Sequence, residues 1–404
     1  MTKSLTLKAD SQSLLTQLIA NADLVRDIQN LDSGVVKKII QQIGLEDAGE
    51  FLMLVSSEQL HDAMEQDIWL SPKQGADEQL NSERFLTWLE ILLEIGASFA
   101  VEKIAEMDED LLCAVLAEKI LAIENDELAL MAQEADEDEH SKNRYLEKAL
   151  ESVHNMDLGE YVIMAKSAQH WDTISHLLIA MQKEHQDILD RLLSRLQRIS
   201  LEEIDDSDGL YELLSEGEVI TGDVTAKRSE RREEQGFVTA STSTAFLKMI
   251  EQSTLAELQS EKEQDHITKM YFRNLKPGKP QGVKTISPNL LQILKMHSLH
   301  AETSSTPLQL SSAKERSAIR NYLTELRTSN QELFQKKLGE LNYLANILMT
   351  GYQHRKEPLR PIEAMDLAIS VCDRGFQVAQ SMQDDINEGE LVKLFKIGWK
   401  KFKK

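Results

Sequence analysis

The chain runs Gly44-Leu-Glu-Asp-Ala48 and, 52 residues later, Gly96-Ala-Ser-Phe-Ala100, and these two stretches align in register. The alignment continues through paired apolar residues, Leu52 with Ile104, Leu60 with Leu112, and Met64 with Leu116. Each copy predicts a short helix, a polar turn and a second helix. Because such a unit cannot bury its apolar face alone, the pattern predicts stacked copies, an armadillo-like helical-repeat superhelix.

The composition of the whole chain predicts an all-α protein. Its 404 residues are 41% hydrophobic and include only 17 glycines and 7 prolines, which leaves room for long helices. No run of β-branched residues alternates with polar ones for long enough to predict a strand. The length favours two or three domains or one extended solenoid. The sequence therefore predicts an N-terminal repeat superhelix followed by further helical-bundle segments.

Capping residues and linkers divide the chain. Asp32 or Ser33 can begin a helix that Gly44 ends, Asn81 precedes another, and Ser287-Pro288 opens a third. In the C-terminal region the apolar spacing predicts helices over residues 313–327, 331–350, 362–382 and 390–403. The predicted division is a repeat domain at 1–125, an acidic linker or loop at 126–144, a second helical domain at 145–275, a Pro/Gly linker at 276–288 and a C-terminal helical domain at 289–404.

The net charge of −23 restricts the classes of partner. Most of the surface should repel phosphate backbones, so nucleic-acid binding is not expected. A protein partner with a basic surface fits this charge better. The first residues contain no apolar run of signal-peptide length, and no window reaches the roughly 18 apolar residues of a membrane span. A cytoplasmic location is the expectation, and the oligomeric state is left open.

Residues 391–404 carry the sharpest functional hypothesis, because they form a basic amphipathic helix. Apolar side chains fall on one side of this helix and six lysines on most of the other. Such a helix can lie in an anionic membrane interface, or it can dock its apolar face on the protein and direct its lysines at the acidic body. The candidate membrane-contact or partner-contact residues are Lys393, Lys396, Trp399, Lys400, Lys401, Phe402 and Lys403.

Metal and cofactor chemistry have little support in the sequence. The run Asp136, Glu137, Asp138 and Glu139 could gather a hard cation, but it has no glycine of the kind that calcium loops require, and a solvated charge run is the simpler interpretation. Cys113 and Cys372 are far apart and outside any Cys-x-x-Cys pair. Phosphate-binding, zinc-protease and serine-hydrolase motifs are not found. No cofactor and no enzymatic activity are therefore expected.

Several phrases of the chain resemble known bacterial families. Ile43-Gly-Leu-Glu-Asp-Ala-Gly-Glu-Phe-Leu-Met-Leu-Val55 resembles the superhelical repeats in the N-domain of MgtE-type magnesium transporters, and a related repeat occurs in flagellar motor switch proteins. The chain as a whole looks closer to an uncharacterised bacterial all-helical family, through the phrases Arg231-Arg-Glu-Glu-Gln-Gly-Phe237, Leu341-Asn-Tyr-Leu-Ala-Asn-Ile-Leu348, Cys372-Asp-Arg-Gly-Phe376 and Leu394-Phe-Lys-Ile-Gly-Trp399.

The sequence thus predicts a scaffold or regulatory adaptor that acts through protein–protein contacts. The predicted partner surface is the face of the N-terminal repeats, at about residues 20–123. Two alternatives remain. One is a peripheral membrane factor anchored by the C-terminal helix. The other is a divalent-cation-responsive regulator, which the resemblance to the magnesium transporters invites.

Overall fold

A computed structural model of the chain describes residues 14–18, 24–73, 75–135, 154–205, 215–261, 263–276, 287–297, 299, 317–352, 359–382, 387 and 389–402. These residues are mostly helical, as the composition predicts, but short strands also occur. The predicted acidic run at 136–139 and most of the predicted Pro/Gly linker at 276–288 lie outside the described residues.

A helical segment at residues 14–18 precedes the numbered elements. The helices are α1 Leu24–Gln29, α2 Ser33–Ile43, α3 Gly49–Leu52, α4 Ser57–Ile68, α5 Ser82–Ile95, α6 Ala97–Ala105, α7 Glu109–Lys119, α8 Asn125–Ala135, α9 Trp171–Glu184, α10 Gln186–Asp205, α11 Glu216–Glu234, α12 Ala240–Gln252, α13 Leu255–Ser260, α14 His266–Asn274, α15 Pro288–Met296, α16 Ala318–Ser329, α17 Gln331–Gly351, α18 Pro361–Ser381 and α19 Leu391–Phe402. The strands are β1 Trp69–Leu70, β2 Gln79–Leu80, β3 Ile120–Glu124, β4 Asn155–Leu158 and β5 Tyr161–Ala165.

The chain folds into two compact units, and each is assembled from separate stretches of sequence. Unit 1 contains Met1–Leu70, Leu80–Ala226 and Gly282–Ser304. Unit 2 contains Ser71–Gln79, Lys227–Gln281 and Ser305–Lys404. This division differs from the predicted one, because α15 lies in unit 1 and buries apolar side chains in its core, whereas the sequence assigns it to the C-terminal domain. Helix α8 also occupies the first part of the predicted linker at 126–144.

The two copies of the sequence repeat have matching helix ends in unit 1. Gly44 ends α2 and Gly96 ends α5, and the amide of each donates to the carbonyl four residues earlier. Ser56 caps the start of α4, and Asp108 caps the start of α7. Both pairs of caps are 52 residues apart, so α2–α4 correspond in sequence position to α5–α7.

Apolar residues shared by the two copies form part of the core of unit 1. Leu52, Leu60 and Met64 of the first copy are at most 1% exposed, and their counterparts in the second copy are at most 3% exposed. Each such side chain contributes about 1.5–3 kcal/mol when it leaves water. The same spacing that relates the copies in sequence therefore also places their apolar residues inside.

A three-stranded antiparallel sheet in unit 1 corrects the prediction of an all-α fold. Its strand order is β3-β5-β4, with Ile120 opposite Ala165 and Leu158 opposite Tyr161. The sequence assigned the residues of β3 and β5 to helical blocks. That was wrong because both strands are largely buried, so their apolar residues run without the polar alternation that marks a half-exposed strand.

Helices α12 and α16–α19 pack around a second core in unit 2. An aromatic group at its centre includes Phe246, Tyr343 and Phe395, with the ring centres of Phe246 and Tyr343 5.8 Å apart. The predicted C-terminal helices are confirmed within about two residues for α17, α18 and α19, and α16 begins at Ala318, later than expected. Unit 2 thus ends in a helix that packs against α18.

The crossing of α18 and α19 depends on two glycines that allow their backbones to touch. A Cβ atom added at Gly375 would lie 1.9 Å from the carbonyl oxygen of Leu394, and one added at Gly398 would lie 1.9 Å from that of Val371. No larger residue fits at either position without separating the helices. This close approach is what brings α19 into the core.

Candidate functional site

The surface predicted to bind a partner, at about residues 20–123, and the first residues of α8 that follow it are strongly acidic in the structure. Over residues 24–70 and 80–131, thirteen acidic side chains are exposed, against two basic ones, Arg26 and Lys38. The acids occur on every helix from α3 to α8. A surface with this imbalance attracts cationic groups and repels anionic ones.

Several basic side chains in the same helices are engaged by neighbours inside unit 1. Lys103 Nζ lies 2.8 Å from Ser57 Oγ and 2.9 Å from a carboxylate oxygen of Glu102. Arg84 Nε donates to Asp67 Oδ2 at 2.6 Å. These bonds hold the cations close to the protein, so the exposed charge that remains is negative.

Three of these exposed acids lie where α2 and α5 end. Helix α2 has no basic residue in its last turn, and Glu46 and Asp47 follow it directly, both exposed. Helix α3, which carries exposed Glu50, packs against α5, whose last turn also lacks a basic residue and contains exposed Glu94. We call Glu46, Asp47, Glu50 and Glu94 the acidic patch. Helix C-termini are partially negative, so acids placed there strengthen the attraction for a cation and weaken the helix.

A second polar cluster in unit 1 surrounds Glu83, at the start of α5. Glu83 pairs with Lys119, and its Oε2 lies 3.0 Å from His170 Nε2 and 2.8 Å from Gln169 Nε2. The hydrogen bond from Lys119 holds the pKa of Glu83 below its ordinary value, against the effect of burial. Burial opposes protonation of Lys119, yet its bonds to Glu83 and Glu118 raise its pKa. Each charged group is thus committed to another member of the cluster.

His170 in this cluster has a strained backbone. Its φ of 60° places it in the left-handed region, where non-glycine residues are uncommon. The residue precedes α9, and its side chain forms no cap bond with that helix. Its imidazole is instead directed at Glu83. This pairing was not predicted, since the two residues are far apart along the chain.

The C-terminal helix has most of its length buried in unit 2. Leu394, Phe395, Ile397 and Trp399 are fully buried, although the sequence offered Trp399 as a contact residue. The indole of Trp399 stacks between Phe395 and Phe402, with ring centres 5.8 and 5.7 Å away. The apolar face of the helix, which would have to insert into a membrane, is therefore packed against the rest of unit 2.

Lys396 departs furthest from its predicted surface position. It is 1% exposed, and its Nζ lies 2.7 Å from Asp265 Oδ2 and 2.8 Å from Glu261 Oε2. Asp265 also accepts hydrogen bonds from the amide and the hydroxyl of Thr268, at 2.9 and 2.7 Å. Burial would raise the pKa of Asp265, but the bonds from Lys396 and Thr268 lower it overall. A buried lysine is tolerated here because two carboxylates balance it.

The other predicted residues of the C-terminal helix lie nearer the surface. Lys393 Nζ is 3.9 Å from a carboxylate oxygen of Glu390, and Lys400 donates to the carbonyl of Glu251. Lys401 is half-buried, and Phe402 is 37% exposed. Lys403 lies outside the described residues, as does the candidate cation run at 136–139.

Possible metal ligands do not cluster in the part of the chain that the structure describes. Among the residues that the structure describes, no group of three or more His, Cys, Asp or Glu side chains is arranged to hold a metal ion. Both cysteines are buried, and burial raises the pKa of the Cys113 thiol to about 11 and that of Cys372 well above its usual value. A search of the described helices finds none that is both long enough and apolar enough to cross a membrane.

Comparison with known proteins identifies the family. Residues 2–294 match a family of unknown function (DUF6178), and this match covers most of the chain. The chain belongs to this family. No curated protein and no solved structure shows significant similarity to it. The matched residues include the described residues of unit 1 up to Leu294, near the end of α15, whereas α16–α19 of unit 2 lie beyond them. The resemblance to the magnesium-transporter repeats stays a prediction.

Proposed function

We propose that the protein is a scaffold or regulatory adaptor whose unit 1 binds a partner protein through a basic surface of that partner. The observation that carries the proposal is the charge of the exposed surface between residues 24 and 131 of unit 1, where acids outnumber bases thirteen to two. Charge complementarity of this kind steers association and selects against acidic competitors.

The acidic patch is the proposed centre of contact. Glu46 and Asp47 follow the negative end of α2, a position where acidic side chains weaken a helix. A binding role accounts for acids at a position where they cost stability, since a cationic partner side chain would relieve the repulsion. The matching caps of α2–α4 and α5–α7 support the accompanying proposal that these helices form an armadillo-like or MgtE-N-like repeat array, which exposes an extended surface.

The test compares two variants that lose the same number of charges. The first removes three of the four charges of the acidic patch with Glu46→Gln, Asp47→Asn and Glu50→Gln. The matched control neutralises three exposed acids elsewhere with Asp190→Asn, Asp223→Asn and Glu325→Gln. Each protein is crosslinked in its native host, and the captured proteins are quantified by mass spectrometry.

We expect a basic protein to be captured by the wild type and by the control, and to be lost from the patch variant. With the purified partner at low salt, the association rate of the patch variant should be about tenfold below that of the wild type. The wild-type rate should fall as salt is raised, and the difference between the two proteins should shrink. Capture of the same partner by all three proteins would refute the proposal. So would a partner whose contact surface is acidic.

A further inference from the structure

A loop of unit 2 is held by arginines about 150 residues further along the chain. Glu78, in the loop Ser71–Gln79, accepts two hydrogen bonds from Arg232 Nη1, with Oε1 at 2.6 Å and Oε2 at 2.7 Å. Its Oε2 also lies 3.4 Å from Arg228 Nη2. The neighbouring Asp77 accepts a hydrogen bond from the amide of Ser241 at 3.0 Å. The adjacent carboxylates of Asp77 and Glu78 thus accept hydrogen bonds from two kinds of donor, a backbone amide and arginine side chains.

The residues that receive these carboxylates form a built site, which we call the arginine corner: Arg228, Arg232 and the amide of Ser241. Arg228 is 7% exposed, so its charge is held away from water. The guanidinium of Arg232 lies over the ring of Phe237, 4.2 Å from its centre, which fixes the plane of its donors.

The third member of the arginine corner is the amide of Ser241, at the start of α12. Thr239 caps this helix through the amide of Thr242, which leaves the amide of Ser241 for Asp77. The N-terminus of α12, a helix of 13 residues, attracts anions, and so does the guanidinium of Arg232. Here the helix N-terminus binds Asp77 and the guanidinium binds the adjacent Glu78.

The loop Ser71–Gln79, which now occupies the arginine corner, is held there by an ion pair that is partly open to solvent. Glu78 and Arg232 are about 30% exposed, so water and salt screen their attraction. In the rest of the loop, Ser71, Pro72, Lys73 and Gln79 are exposed. Because the loop is part of the same chain, its effective concentration at the arginine corner is on the order of millimolar. A separate acidic ligand can therefore displace the loop only when the ligand binds tightly or when Asp77 and Glu78 are altered.

We propose that the arginine corner is a binding site for acidic peptide segments that contain adjacent Asp and Glu residues, and that the chain's own Asp77 and Glu78 occupy it in cis. A partner segment of this kind would displace the loop and accept the hydrogen bonds that Arg232 Nη1 and the Ser241 amide now donate to Glu78 and Asp77. This site lies in unit 2 and accepts anions, so it is independent of the acidic patch of unit 1, which is proposed to accept cations.

The first test removes the occupant and supplies its sequence in trans. The full-length double variant Asp77→Asn/Glu78→Gln is titrated into a fluorescein-labelled peptide, Gly-Ala-Asp-Glu-Gln-Leu, which copies residues 75–80. Fluorescence anisotropy at low salt should show binding about tenfold tighter than to the wild type, whose own loop competes. A control variant with the same charge loss, Asp190→Asn/Asp223→Asn, should behave like the wild type.

Two further results are required. The labelled peptide with Asn and Gln in place of Asp and Glu should not bind the double variant. Addition of Arg232→Gln to the double variant should abolish binding of the acidic peptide, with circular dichroism to show that the protein is folded. Equal binding of both peptides, or equal binding by the double variant and the wild type, would overturn the proposal.

A second measurement uses the unaltered protein and so does not depend on the folding of any variant. Trypsin cleavage after the exposed Lys73 is followed by mass spectrometry while the unlabelled peptide is added at millimolar concentration. Displacement of the loop should accelerate this cleavage several-fold with the acidic peptide and not with its amide counterpart. An unchanged rate with both peptides would show that the site is not exchangeable and would also overturn the proposal.

Discussion

Replacing Gly375 by alanine should destabilise unit 2 by about 2 kcal/mol, because the new methyl group has no space between α18 and α19. The added Cβ would lie 1.9 Å from the carbonyl oxygen of Leu394 and 2.7 Å from its carbonyl carbon, whereas ordinary contact begins at 3.4 Å. The obstacle is backbone, which cannot rotate aside as a side chain can. The helices must therefore separate by about 1.5 Å.

The magnitude follows from two opposing terms. Overpacking of a core costs about 1–3 kcal/mol, and we take the upper end because the contact shared by Gly375 and Gly398 is backbone against backbone. Alanine is the better helix former by about 0.8–1 kcal/mol, which offsets part of that cost. Gly398→Ala should act in the same direction. The double variant should lose less stability than the two single variants lose together, because helices that one methyl group has already separated have room for the second.

Gly339 of α17 provides a matched control in the same unit. A Cβ added there meets no described atom within 4 Å, so Gly339→Ala should stabilise the protein by about 0.8–1 kcal/mol. Because the chain has two units, a single unfolding midpoint would mix them. Hydrogen–deuterium exchange of peptides from α18 and α19 resolves unit 2 directly. If Gly375→Ala protects these peptides as well as Gly339→Ala does, the proposed close crossing is refuted.

Three further predictions concern charge and burial. Lys396→Met leaves the buried carboxylate of Asp265 without its cation and should destabilise unit 2 by about 3–5 kcal/mol at pH 7, measured by hydrogen–deuterium exchange of peptides from α19. In the wild type the pKa of Asp265 is lowered below 3.8, so the stability from this pair is present above pH 3.8 and is lost as pH falls further; the variant should lack that acid-dependent loss. Glu46→Gln with Asp47→Asn should raise the stability of unit 1 by about 0.3–1 kcal/mol per charge, measured by exchange in α2; a decrease would contradict the helix-end argument. Cys372 should react with a thiol reagent at pH 8 only at the rate of unfolding, because burial raises its pKa; rapid modification of the folded protein would contradict its position.

Local signals in the sequence predicted much of the helical structure. Asp32 caps α2, Gly44 ends it, Asn81 caps α5 and Ser287 caps α15 before its proline. Each of these roles depends on a few neighbouring residues, which is why spacing and residue type were sufficient. The helices α17–α19 were predicted for the same reason, since their apolar stripes repeat over several turns.

Long-range pairing could not be predicted in this way. The strands β3 and β5 are short and buried, so they resemble pieces of buried helix until the partner strand is known. Lys396 was placed at the surface because a lone sequence gives no sign that Glu261 and Asp265 would meet it inside. The contact of Glu78 with Arg232 was missed for the same reason, as was the division of each unit into separate stretches of the chain.

Each unit is assembled from separate stretches of sequence, and this arrangement sets the order in which the two units can be completed during synthesis. Phe246 and Ile250 of α12 need α17–α19 to cover them, and about 150 residues separate Ile250 from the end of α19. At a translation rate of about 5–20 residues per second, these apolar side chains wait roughly 8–30 s before the last helix that covers them has been made. Unit 1 needs nothing beyond Ser304 and can fold during that interval. The nascent chain therefore passes through a half-folded stage in which the apolar face of α12 is available to chaperones.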